Sequence, residues 1–232
     1  MEGEWEKCER ETICENHIAA SDWKIDYEKP GNYRNWVDPA KLDLTCKDSY
    51  QIGLIGSSYF IGFAVSALFV PVLADKYGRK HLYMGCYLLQ LACYILIFFS
   101  TKIEVTIFAY AVVGICASGR VSIGTMYLNE FLPMKHQSIV TTLLNVGDAS
   151  TMILQCLYYL IISNNWLYLH LVGIICGIIL IYPLWKIPES PKYLYAKKHF
   201  DQSRQVLAHI AKMNGKPPSE ISKIKSIVFD TE

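Results

Sequence analysis

The sequence predicts an all-α membrane protein with five transmembrane helices. Three observations predict it. Long apolar stretches recur five times, the connections between them are a few residues long, and Lys and Arg crowd one set of those connections. Composition agrees: 52% of the 232 residues are hydrophobic and only 19% are charged, whereas a soluble domain carries about a quarter charged residues. So apolar a chain is not intrinsically disordered. With 22 Lys plus Arg against 21 Asp plus Glu, it has no basic excess for nucleic acid, and none is expected as a partner. The lipid bilayer is.

A helix needs roughly 20 apolar residues, at 1.5 Å each, to cross a hydrocarbon core of about 30 Å. Residues 51–74, 81–100, 104–128, 138–162 and 166–187 qualify. They are joined by DKYGRK, TKI, NEFLPMKHQ and SNN, so consecutive helices should be antiparallel neighbours. Orientation follows from the Lys and Arg of the loops. One side carries Lys76, Arg79, Lys80 and Lys135, then Lys186, Lys192, Lys197 and Lys198; the other has Lys102 and an acidic N-terminal segment. The basic side should face the cytoplasm, or the matrix of a mitochondrion, with the N-terminus on the opposite side. Tyr50, Trp166 and Tyr168 at one face, and Tyr77, Tyr83 and Trp185 at the other, suit interfacial belts.

Flanking the membrane layer (51–187) are two polar segments. Residues 1–50 hold 12 acidic groups in their first 48 positions, together with Cys8, Cys14 and Cys46. On a non-cytoplasmic side disulfides persist, but three cysteines leave one without a partner in the segment, and the pairing stays open. Cys86, Cys93, Cys116, Cys156 and Cys176 fall within spans and read as packing residues. No cysteine shows metal-ligand spacing, so no metal is expected. Residues 188–232 should form a cytoplasmic amphipathic helix, with Phe200, Val206, Leu207, Ile210 and Met213 on its apolar face. Asn214-Gly215 should cap it and Pro217-Pro218 should stop it.

Several motifs share one resemblance. PVLADKYGRK, residues 71–80, joins two spans on the basic side, and IPESPKYL, residues 187–194, follows the last span. NWVDPAKLDLTCKDSY precedes the first span, YLNEF ends the third, and FDQSRQVLAHIAKMNGKP lies in the tail. In this order they resemble the major facilitator superfamily, and within it the organic cation/anion transporters related to sugar porters. The resemblance implies that the five spans correspond to helices two to six of a major facilitator fold, a partial N-terminal half. Such transporters bind substrate near the bilayer midplane between two six-helix halves that rock for alternating access. It therefore implies a small organic ion as ligand, and either the missing transporter half or a larger membrane complex as partner. Two positions depart from the family: Pro71, where Gly is usual, and Tyr110, where Arg is frequent.

Two groups of polar residues are candidates for function. Gly78 permits a sharp turn, while Asp75, Arg79 and Lys80 place complementary charges at adjoining helix ends. Glu130 and Glu189 should lie at the same face. The resemblance implies that these six form a cytoplasmic charge network that latches one conformational state; simple helix capping is the alternative. Arg120 and Asp148 are charges within spans, where each costs about 2.5–3.5 kcal/mol on insertion scales. Their similar depth on consecutive helices allows a salt bridge, and with Asn145 and Gln155 they are candidates to line a cavity for a charged substrate. A purely structural ion pair is the alternative. Gln90, Ser118, Ser122 and Thr125 read as packing, and the small residues from Gly114 to Gly119 as a site of close helix approach. There is no nucleotide-binding loop and no hydrolytic triad, so neither an enzyme nor a cofactor is expected. The function expected is transmembrane transport, with an accessory subunit derived from a transporter as the alternative.

Overall fold

A computed structural model describes residues 8, 10–16, 18–19, 22–27 and 41–226. Residues 35–40 of the motif ahead of the first span lie outside them. The described residues form helices without strands: α1 (Arg10–Glu15), α2 (Ser49–Tyr77), α3 (Arg79–Phe99), α4 (Ile103–Phe131), α5 (Met134–Leu157), α6 (Trp166–Lys186), α7 (Pro191–Ala196), α8 (Phe200–Met213) and α9 (Pro218–Lys225). A π-helical turn, Tyr158–Ile162, prolongs α5.

The spans are longer than their apolar stretches. Asp75, Lys76 and Tyr77 are still helical in α2, Arg79 already begins α3, and Gly78 alone makes the turn with φ +100°. That conformation is open to glycine at little steric cost, so the helices need no further linker. Likewise α4 continues through Asn129, Glu130 and Phe131, and only Leu132-Pro133 separates it from α5. At 29 residues each, α2 and α4 are about 43 Å long. Among the described residues four helices, α2, α3, α4 and α6, are long and apolar enough to cross a membrane. The expected fifth span is present as a long helix, but α5 is less apolar than the other four. Thr141, Thr142, Asn145, Asp148, Ser150, Thr151 and Gln155 dilute it.

Short connections alone do not decide which helices pack: the consecutive pair α3 and α4 is closely packed, but α2 with α3 and α4 with α5 are not. α2 packs chiefly on α4, and α3 on α4 and α6, while α4 and α5 meet mainly near their shared turn. Hydrocarbon chains are as apolar as Leu, so helices associate where small residues let their surfaces approach. A Cβ on Gly62 would fall 2.1 Å from the Ala111 carbonyl oxygen, and one on Gly114 would fall 2.0 Å from that of Tyr59. At this crossing α2 and α4 touch backbone to backbone. Towards Gly78, Val70, Ala74 and Ile123 continue the seam. Farther along, Cys93 and Ile97 of α3 pack on Ala109 and Val113 of α4.

The ends opposite Gly78 are closed by residues 41–47. Leu42 and Leu44 pack with Ile55 and Ile103, and a Cys14–Cys46 disulfide ties this strap to α1. Cys8 is the free, exposed cysteine of the three. Lys41 donates to the Phe98 carbonyl, and its ammonium lies 5.8 Å from the Phe98 ring centre and 5.7 Å from that of Trp166. Among the span cysteines, Cys93 and Cys116 are buried, but Cys156 and Cys176 are exposed, so packing within the chain does not account for those two.

Beyond α6 the tail folds as three short helices. Lys198, at φ +61°, separates α7 from α8, and Asn214-Gly215 caps α8 as expected. Its buried positions are Ser203, Ala208 and Ala211, whereas Met213 is exposed. Of the expected apolar face, Phe200, Val206, Leu207 and Ile210 are half-buried. The tail helices pack on one another, α7 and α9 both against α8, and that shared contact selects the smaller residues.

Candidate functional site: a charge cluster and a groove within the bundle

Six residues singled out in the sequence meet at the Gly78 end. Arg79, at the start of α3, forms an ion pair with Glu130 of α4, and its Nη2 lies 3.3 Å from Asp75 near the end of α2. The Arg79 and Glu130 side chains are 14% and 12% exposed, against 65% for Asp75. Arg79–Glu130 is thus the shielded pair, and the Asp75 contact, open to water, contributes little. Among the described residues, buried Arg79 Nε and Glu130 Oε2 have no hydrogen-bond partner.

Glu189 joins the same end from beyond α6. Its Oε1 accepts from the backbone N–H of Lys80 and of Ser190, both at 3.0 Å. Its Oε2 lies 3.3 Å from His81 Nδ1. A Cβ on Gly78 would stand 2.8 Å from that oxygen, so Gly78 serves both the turn and the seat of the carboxylate. The Lys80 ammonium donates to the Trp185 carbonyl at 2.9 Å, Tyr127 donates to that of Pro188, and Tyr193 donates to that of Lys76 at 3.3 Å. Together α2, α3, α4 and the segment after α6 are fastened at one place. His81, Tyr127 and Ser190 escaped the sequence reading. His81 had a signal, since it directly follows the GRK of the turn.

The four intramembrane candidates are not brought together. Arg120 donates from Nε to Gln90 Oε1 at 3.0 Å, and Gln90 Nε2 donates to the Tyr94 hydroxyl at 2.8 Å. Among the described residues Arg120 has no ion pair with Asp148. Asp148 and Asn145 are exposed on α5, and Thr151 donates to the Asp148 carbonyl at 2.6 Å. Gln155 does line a cavity of about 510 Å³, with Tyr94, Tyr110, Tyr159, Trp166 and His170. A second cavity of about 210 Å³ is lined by Arg120, Gln90, Tyr87 and Tyr94. Tyr94 and Gly173 line both, so the two adjoin along α3 and α6 and together form the wall of one groove-like region. Gln90 is 4% exposed; reading it as packing missed its role as the partner of Arg120. The i, i+4 pair Gln90 and Tyr94 on α3 was the available signal. His170 Nε2 lies 3.0 Å from the Tyr94 carbonyl oxygen, and its ring stacks on Phe98 at 6.1 Å.

Comparison with known proteins places this architecture. Bovine (Bos taurus) solute carrier family 22 member 1 is 25% identical over 205 residues, which cover 88% of this chain and 35% of that protein. Human (Homo sapiens) solute carrier family 22 member 2 is 23% identical over 201 residues, 86% of this chain and 35% of that protein. Mouse (Mus musculus) solute carrier family 22 member 4 is 27% identical over 180 residues, 74% of this chain and 31% of that protein. The chain spans about a third of the length of these relatives, which carry the names of carriers and not of enzymes. A model of the family described as sugar (and other) transporter matches residues 15–230. With nearly the whole chain matched, four apolar membrane-length helices and a charged turn at Gly78, this integral membrane protein belongs to the sugar (and other) transporter family of the major facilitator superfamily.

Proposed function

We propose that the protein takes part in moving small organic ions across a membrane, with the Gly78-end cluster latching one conformational state. The observation that carries this reading is the convergence of Arg79, Glu130 and Glu189 on one short turn. Family membership supports transport as the class of activity. An alternating-access transporter needs a contact that holds one state and can be released. A shielded ion pair with unpartnered atoms meets that need, because it is worth little more than its desolvation cost and yields to a competing partner. The organisation proposed is an outer segment (1–50), a membrane domain (51–187) and a cytoplasmic tail (188–232). Basic residues at the Gly78 end support a cytoplasmic, or matrix, location for that end. Either the plasma membrane or an organelle membrane is compatible with it.

Since the chain spans about a third of its relatives, the proposed partners are the remainder of a transporter or a larger membrane complex. Tyr110 favours a second reading, an accessory subunit derived from a transporter. It packs against two apolar clusters, which puts packing where the family often places a charge.

Uptake separates the two readings. The chain is purified with whatever stays bound to it and reconstituted in liposomes, and entry of benzyltrimethylammonium and benzenesulfonate is measured. Uptake of either, slowed in Arg79→Gln, supports transport. Stable association with a large complex without uptake of either overturns it.

A further inference from the structure

Among the described residues, the groove between α3, α4, α5 and α6 carries one formal charge at its wall, Arg120. The guanidinium uses Nε on Gln90, so its two terminal nitrogens are not engaged by that bond, and Arg120 lines the smaller cavity. Gln90 is itself held by the Tyr94 hydroxyl, so the relay fixes the direction in which the fork points. Arg120 stands eleven residues before the end of α4 at Phe131, about 16 Å along the helix axis. Away from both helix ends, it cannot readily reach interfacial water. A guanidinium at such a depth attracts an anion strongly, and its planar fork matches a carboxylate or sulfonate bidentately.

The rest of the groove is neutral and aromatic. Tyr110, Tyr159, Trp166 and His170 surround about 510 Å³ beside the 210 Å³ around Arg120, within the size range of sites for small organic ligands. Asp148, the acidic group at comparable depth, lines neither cavity. A cation placed here would meet Arg120, and among the described residues no carboxylate lines either cavity.

We infer that this groove binds organic anions, with a carboxylate or sulfonate on Arg120 and a flat apolar body among Tyr94, Tyr110, Tyr159 and Trp166. The inference rests on the transport reading for its purpose, but not for its test. Gln90 is a positioning residue that acts through Arg120.

Equilibrium binding to the purified chain in detergent tests it, with two probes of similar size and opposite permanent charge, benzenesulfonate and benzyltrimethylammonium. The unsubstituted protein is expected to bind benzenesulfonate at least tenfold more tightly. Arg120→Gln should weaken benzenesulfonate at least tenfold, and Arg120→Lys, which keeps the charge but not the fork, should weaken it less. Gln90→Glu keeps Arg120 but supplies an internal carboxylate, and should also weaken benzenesulfonate. Equal or tighter binding of the cation, no binding of either probe, or an affinity unchanged within twofold in a monodisperse Arg120→Gln protein would each overturn the inference. The comparison of probes on the unsubstituted protein decides even if that variant fails to fold. Binding is measured without a membrane. Anion binding without uptake would therefore overturn transport alone, and uptake restricted to the cation would overturn the anion assignment alone.

Discussion

α4 and α5 follow one another in the chain, and their helical runs are similar in length, yet the protein treats them oppositely. α4 buries eleven residues, including Gly114, Ala117, Ser118 and Gly119; α5 buries none. At Gly114 a Cβ would strike the backbone of α2, while at Gly147 of α5 it would meet nothing within 4 Å. α5 is held at its ends. Gln137 donates to the Asn129 and Leu132 carbonyls at 2.8 and 3.1 Å, and Thr141 donates to Asn129 Oδ1 at 3.3 Å. At the far end Tyr158 donates to the Asn165 carbonyl at 2.7 Å. The contrast shows what packs a helix in a lipid solvent. Apolarity places a helix in the membrane, and small residues opposite a matching backbone choose its neighbour.

Glycine substitutions test that contrast most severely. Gly114→Leu must push α2 away from α4, at a cost of about 3 kcal/mol, the upper end for overpacking. Thermal unfolding followed by size-exclusion chromatography in detergent should show a fall in Tm of about 6–12 °C at this chain length, or loss of the folded peak. Gly147→Leu should leave Tm within about 2 °C, as expected for a helix position that touches nothing. Equal losses in the two variants would mean that α5 is packed after all.

The shielded charges that join α4 to α3 come next. Arg79→Gln leaves Glu130 without its cation, and removing one partner of a buried pair costs about 3–5 kcal/mol. With both side chains somewhat exposed, about 2–3 kcal/mol is expected by the same reasoning. The double variant Arg79→Gln/Glu130→Gln should recover part of that loss, since no charge is then stranded. A double variant less stable than either single one would show that the pair is not an isolated contact.

Where α5 is tethered, smaller effects follow. Gln137→Ala removes two hydrogen bonds to the end of α4, together worth about 1–2 kcal/mol. The loss should appear as faster proteolysis at the α4–α5 turn with little change in Tm. Smallest of all is Asp148→Asn on the exposed face of α5, expected to shift stability by less than about 0.5 kcal/mol. A large loss there would reveal an ionic partner for Asp148 and narrow the difference between the helices.

Much of the Gly78 end was legible residue by residue. Asp75, Gly78, Arg79 and Lys80 are neighbours in the chain, so one turn brings them together wherever the helices go. Glu130 and Glu189 were legible because each follows a span that ends on the same side. The groove was not. Arg120 and Asp148 have similar depth by counting, yet Arg120 meets Gln90 of α3 and Asp148 remains exposed.

The sequence by itself determined the helical class, the places of the spans, the cap of α8 and the charges gathered at Gly78. These depend on apolar runs, on rise per residue and on single turn residues, all of them local. Only the tertiary structure decided that α2 packs on α4, that Cys14 pairs with Cys46, and that Gln90 and not Asp148 receives Arg120. The physical reason is that counting along a helix gives height but not direction. Each residue turns about 100° from the last, from 3.6 residues per turn, and the direction that faces a partner is set by how whole helices seat against one another.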